Sequence, residues 1–98
     1  MYGMFGKFTA RPGKRDALIA VLLQAADALR ANEGCLHYVV GTTDEPDAIW
    51  VTEAWTDKAA HDASLEPEEV RATIARAMPL IAGMSDRTEL EILGGKGL

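Results

Sequence analysis

The chain has one cysteine, two histidines and ten basic residues against fifteen acidic ones. A lone thiol, Cys35, excludes an intrachain disulfide and fits a reducing compartment such as the cytoplasm. A net charge of −5 and a pI near 4.9 argue against a nucleic-acid partner, since phosphate binding needs a basic face and no Lys/Arg cluster supplies one. The longest apolar run, Ala17 to Leu23, falls far short of the ~20 residues of a membrane span. The first residues, Met-Tyr-Gly-Met-Phe-Gly-Lys, have no basic stretch followed by an apolar core, so no secretion signal is expected. No histidine or cysteine pair stands at metal-ligand spacing, and there is no Gly-x-Ser-x-Gly, dinucleotide fingerprint or phosphate loop. Gly94-Gly95-Lys96 lacks the phosphate-loop spacing and a helix to follow it. The expectation is a chain with no bound metal and no cofactor of its own.

What is present is an ordinary globular composition. Ninety-eight residues, 48% of them hydrophobic, suit one soluble domain spanning 1–98, with a core over about 2–93 and a flexible tail at 94–98. Tyr2 to Ala10 reads as a strand ended by Arg11-Pro12-Gly13, with Gly3 and Gly6 marking close approach of another backbone. Gly13 to Asn32 reads as a helix, with Leu18, Val21, Leu22, Ala25 and Leu29 at helical spacing and Gly34 expected in a left-handed cap. Cys35 to Thr43 and Ala48 to Thr56 form a hairpin across Asp44-Glu45-Pro46-Asp47. Thr56-Asp57 caps a short helix to about Leu65, and Pro67-Glu68-Glu69 starts another with Val70, Ile74, Ala77, Met78 and Ile81 as its stripe, which Pro79 kinks or ends. Arg87 to Leu93 is a last strand. The order strand–helix–strand–strand–helix–helix–strand is the split βαβ, ferredoxin-like α+β arrangement: a four-stranded antiparallel sheet with helices on one face.

Pairing Thr43 with Ala48 sets Tyr38 opposite Glu53 and Leu36 opposite Trp55. One face then holds Leu36, Tyr38, Val40, Thr42, Ile49, Val51, Glu53 and Trp55; the other holds Cys35, His37, Val39, Gly41, Trp50, Thr52 and Ala54. Both are substantially apolar, whereas a half-exposed sheet shows one polar face. The helices cover one, and the predicted cover for the other is a second subunit, a homodimer.

Glu53 is the most informative candidate. A mid-strand carboxylate between Val51 and Trp55 loses solvation, so its pKa rises unless donors surround it. It is either an acid satisfied by the backbone or by Tyr38, or a base in a pocket. Trp55 is core or the apolar wall for a flat substrate, and Tyr38 is core with a polar tip or a binding residue. His61, on a short helix with charged neighbours, has the setting of a solvated histidine but is the next ionisable group on the Glu53 side. His37 falls on the interface face.

Pro12-Gly13-Lys14, Gly34-Cys35-Leu36-His37-Tyr38, the segment Trp50-Val-Thr-Glu53-Ala-Trp55-Thr-Asp-Lys-Ala59-Ala-His61, and Met78-Pro79-Leu80-Ile81 together resemble the antibiotic biosynthesis monooxygenase family, which includes small quinol monooxygenases. The resemblance covers nearly all of 2–93. It implies a dimeric α+β barrel whose sheets pack through their helix-free faces, and a pocket between sheet and helices near Glu53, Trp55 and Tyr38. It also implies a monooxygenase that uses dioxygen on a phenolic or quinol-like aromatic without metal or flavin. Glu53 and His61 would be the catalytic candidates, Trp55 and Tyr38 the substrate-binding ones. Many members carry a histidine near the position of Ser64; here His61 stands one turn earlier. The first strand lacks the asparagine of haem-degrading relatives. The other readings of such a chain are a non-catalytic dimeric binding module for a small ligand, or an isomerase or other small-metabolite enzyme on the same scaffold.

Overall fold

The computed structural model describes residues Met1–Leu98. Four strands, β1 (Tyr2–Ala10), β2 (Cys35–Thr42), β3 (Ala48–Trp55) and β4 (Ile81–Glu91), form one antiparallel sheet in the order β2-β3-β1-β4. Three helices, α1 (Arg15–Ala28), α2 (Lys58–Ala63) and α3 (Glu68–Ala77), connect them. This is the expected ferredoxin-like α+β fold. No helix is long and apolar enough to cross a membrane.

The core lies between the sheet and the helices. Leu18 and Leu22 of α1 and Ala77 of α3 close over Ala10, Ile49 and Val51, with Phe8, Tyr38 and Val40 packed around them. Of the residues that the apolar spacing singles out, Leu18 and Leu22 are buried and Val21, Ala25 and Leu29 are partly buried, while Leu23 stays half exposed. The β1–α1 turn needs Gly13, whose φ is +74°.

Three local expectations are corrected. First, α1 ends at Ala28 and tightens into a single 3-10 turn over Leu29–Ala31, and Gly34 is not left-handed. Asn32 closes this turn instead, its Oδ1 accepting the Gly34 N–H at 2.9 Å. Gly34 is needed for space: an added Cβ would lie 2.9 Å from the Ala60 Cβ of α2. Second, the β2–β3 ladder pairs Tyr38 with Glu53 as expected, but a bulge between Cys35 and His37 puts Cys35, not Leu36, across from Trp55. Third, α3 gives way to a 3-10 turn over Met78–Leu80, and Ile81 opens β4 rather than extending the helical stripe. β4 is longer than the expected Arg87–Leu93 because its first half bulges against β1. Asp86, at φ 56°, occupies the left-handed region in that bulge, a conformation Asp tolerates better than most residues.

The helix-free face of the sheet carries Phe5, Val39, Trp50 and Leu90. Val39 and Leu90 are about half exposed within the chain and Phe5 and Trp50 are partly covered.

Candidate functional site

The helix-facing residues at one end of the sheet come from alternate positions of three adjacent strands. Tyr2, Met4, Gly6 and Phe8 of β1 stand opposite Trp55, Glu53, Val51 and Ile49 of β3. Glu89 of β4 stands opposite Met4. The period-2 alternation of a strand delivers all of them to one face. The α2 helix then crosses this end. Its entry is fixed by Asp57, whose Oδ1 accepts the Ala60 N–H at 2.7 Å as an N-cap. That placement brings His61 down onto the strands.

His61 is buried, 7% exposed, which overturns the setting its charged neighbours suggest. Its ring packs edge-on against Trp55 at 5.4 Å between centroids and tilts against Tyr2 at 5.3 Å. Nε2 lies 4.0 Å from Glu53 Oε1, and Nδ1 lies 2.9 Å from Asp62 Oδ1. Ser64 does not enter the group: its hydroxyl donates to the His61 carbonyl at 2.6 Å, at the end of α2. The histidine of this chain beside Glu53 is therefore His61.

Glu53 accepts a 3.0 Å hydrogen bond from Trp55 Nε1 at Oε1. Burial pushes its pKa above the ordinary carboxylate value, while the Trp55 bond and the neighbouring His61, Arg87 and His37 pull the other way without cancelling it. Trp55, not Tyr38, is the donor that satisfies the acid. Tyr38 lies directly across the ladder from Glu53. Its phenol is pushed well up, first by burial and then by the Glu53 and Cys35 charges, so it stays protonated. Tyr2 donates to Glu89 Oε2 at 2.8 Å; the bond lowers the Glu89 pKa, and burial first and then this bond raise that of Tyr2. No three His, Cys, Asp or Glu side chains converge in a way that could hold a metal ion.

Beside Glu53 lies a cleft of about 160 Å³ walled by Met4, Phe8, Val51 and Met84, with Glu53, Lys7 and Arg87 as its charged groups. Gly6 forms its floor: an added Cβ there would sit 3.4 Å from the Arg87 Cα in the bulge of β4. A wider depression of about 420 Å³ at the end of the sheet, bounded by Tyr2, Lys58 and Glu89, mixes polar and apolar side chains and holds no buried acid. The smaller cleft is the one where an ionisable group meets an apolar wall, the setting in which perturbed groups mark function.

Of the residues singled out from sequence, Glu53 lines the cleft and His61 stands behind it. Trp55, 1% exposed, and Tyr38 do not line it in this chain; Trp55 touches the site through its bond to Glu53. Met4, Met84, Arg87, Asp62, Tyr2 and Glu89 were not singled out, and Gly6 only as a point of close backbone approach. The alternation of β1 opposite a Glu-x-Trp strand carries a signal for Tyr2, Met4 and Gly6. Nothing in the sequence gives the register of Arg87, because the β4 bulge resets it.

The antibiotic biosynthesis monooxygenase model matches residues 1–76. A crystal structure from Chloroflexus aurantiacus J-10-fl, described as a candidate antibiotic biosynthesis monooxygenase, is 45% identical, with 96% of this chain and 94% of that one covered at a TM-score of 0.88. A protein of Deinococcus radiodurans with the same provisional description is 25% identical over 97% and 95% of the two chains at a TM-score of 0.83. A Mycobacterium tuberculosis protein shares the fold at 22% identity over 97% of each chain, with a TM-score of 0.83. No curated protein matches the chain. The family match over most of the sequence, and a relative that overlays nearly end to end, agree with the strand-by-strand geometry: the chain belongs to the antibiotic biosynthesis monooxygenase family.

Proposed function

We propose that this protein is a monooxygenase that uses dioxygen, with no metal or flavin, to oxidise a single-ring phenolic or quinol-like aromatic. The observation that carries the reading is a partly desolvated carboxylate, Glu53, opening onto an apolar cleft. Its volume of about 160 Å³ is close to the roughly 150 Å³ of an apolar cavity that admits benzene. A polycyclic substrate would need the cleft to widen.

The chemistry follows from the groups present. A carboxylate with a raised pKa is a better base towards a phenol than an ordinary one. Removing the phenolic proton gives an electron-rich phenolate, which passes an electron to dioxygen; recombination makes a carbon–oxygen bond. The ring C–H then becomes a carbonyl, and the second oxygen atom leaves as water with two protons from the substrate. Met4, Phe8, Val51 and Met84 keep water from the intermediate. Arg87, at the rim, supplies positive charge beside the developing oxyanion. Trp55 and His61 hold and flank the base, and Tyr38 stands across the ladder from it, outside the cleft.

The working form in this reading is a homodimer. Phe5, Val39, Trp50 and Leu90 give the helix-free face an apolar surface that its own chain covers only in part. A second sheet laid against it would complete the barrel.

Oxygen uptake over a panel of hydroquinones and substituted phenols tests the reaction. Glu53→Gln should lower turnover by ~10²-fold or more. Full oxygen consumption by that variant would end the base assignment. Turnover of the same compounds under nitrogen would show an isomerase, and saturable binding without turnover a ligand-binding module.

A further inference from the structure

His61 has two ring nitrogens with different company. Nδ1 is 2.9 Å from Asp62 Oδ1, and Nε2 is 4.0 Å from Glu53 Oε1. A carboxylate only accepts hydrogen bonds, so the nitrogen in contact with Asp62 must be the one that carries hydrogen. Asp62 is itself anchored. Its other oxygen, Oδ2, takes a bond from Lys58 Nζ at 3.0 Å, one turn back on α2. The groups facing His61 are Glu53 from β3, Tyr2 from β1 with Glu89 of β4 bonded behind it, and Asp62 from α2 with Lys58 behind it.

We propose that Asp62 is a positioning residue that fixes His61 with its proton on Nδ1, so that Nε2 turns a lone pair towards Glu53 and receives the proton Glu53 takes from the substrate. The proposal rests on Glu53 being the base. In the transfer, the O–H bond of protonated Glu53 breaks and an N–H bond forms at Nε2. Glu53 regains its negative charge, and the resulting imidazolium lies against the Asp62 carboxylate. The same proton returns along the same path when the peroxide oxygen leaves as water, so nothing is consumed. The 4.0 Å separation is long for a hydrogen bond, as catalytic contacts often are before substrate tightens them. Asp62 stands at the solvent edge with about half its side chain exposed, so it never meets the cleft and acts only through His61.

The test reads the tautomer directly. In ¹⁵N-labelled wild-type protein, neutral His61 should show a protonated Nδ1 and an unprotonated Nε2. Asp62→Ala should shift it towards the Nε2–H form and lower kcat about tenfold with KM unchanged, and Asp62→Glu should restore both in part. Lys58→Ala removes the same helix ion pair but leaves Asp62 in place, so it should keep the wild-type tautomer. A wild-type His61 already protonated on Nε2, or an Asp62→Ala spectrum identical to wild type, overturns the proposal. An altered tautomer with unchanged kcat overturns its catalytic half. Wild-type protein that consumes no oxygen would sink the monooxygenase reading and the catalytic half with it, while the spectra still decide whether Asp62 sets the ring.

Discussion

Burial holds a proton on Glu53 more tightly in the folded chain than in the unfolded one. The folded state therefore binds more protons as pH rises above the ordinary carboxylate value of 4.5, and stability falls with pH until the folded group has ionised. Glu53→Gln removes this dependence while its amide oxygen still accepts from Trp55 Nε1. Thermal melts between pH 4 and 8 should show the Gln variant gaining on wild type as pH rises; a constant difference would mean that Glu53 ionises with no folding penalty. The position of this acid could be read from sequence, since Tyr38-opposite-Glu53 follows from the hairpin loop and the period of two. Its partner could not. Trp55 and Glu53 are neighbours on one face, but only the rotamers decide that the indole nitrogen turns to the carboxylate. His61 was misjudged in exposure because its charged neighbours Lys58 and Asp62 pair with each other across a turn and leave the ring free to point inward.

Between elements, Gly34 is held close against α2. A methyl group there would press on the Ala60 Cβ, which has no rotamer to give. Gly34→Ala should cost about 1–3 kcal/mol and, by pushing α2 off the sheet, loosen His61 against Trp55. Urea titration gives the first effect, and a change in the ring-proton chemical shifts of His61 and Trp55 reports the second. Unchanged stability would show that α2 rides up without cost. Strand and helix types were legible because the apolar periods are clean in α1, β2 and β3. The first half of β4 was not. Gly83, Ser85 and Asp86 weaken any strand pattern, and the bulge that they permit breaks the alternation on which a reading of faces depends. Arg87 entered the cleft unseen for that reason.

At the scale of the whole molecule, both faces of the sheet are apolar but only one is covered. Light scattering at micromolar concentration should give twice the chain mass of 10.6 kDa. Trp50→Glu, which plants a charge in the helix-free face, should shift the mass towards that of a single chain and lower the melting temperature; a wild-type monomer would leave the barrel without its second half. One further consequence lies in the strand order. β1 is central, flanked by β3 and β4, and its Tyr2 bonds to Glu89 across 87 positions of sequence. The β2–β3 hairpin can form alone, but the central ladder closes only after distant segments meet. Folding of such a chain is governed by loop closure as well as by helix formation, which makes it slower than a helical bundle of its size. Until β1 docks beside it β3 has one open edge, until β4 docks β1 has another, and the apolar wall of the future cleft faces water. Recovery after dilution from denaturant should therefore fall as protein concentration rises, through the pairing of those open edges between chains.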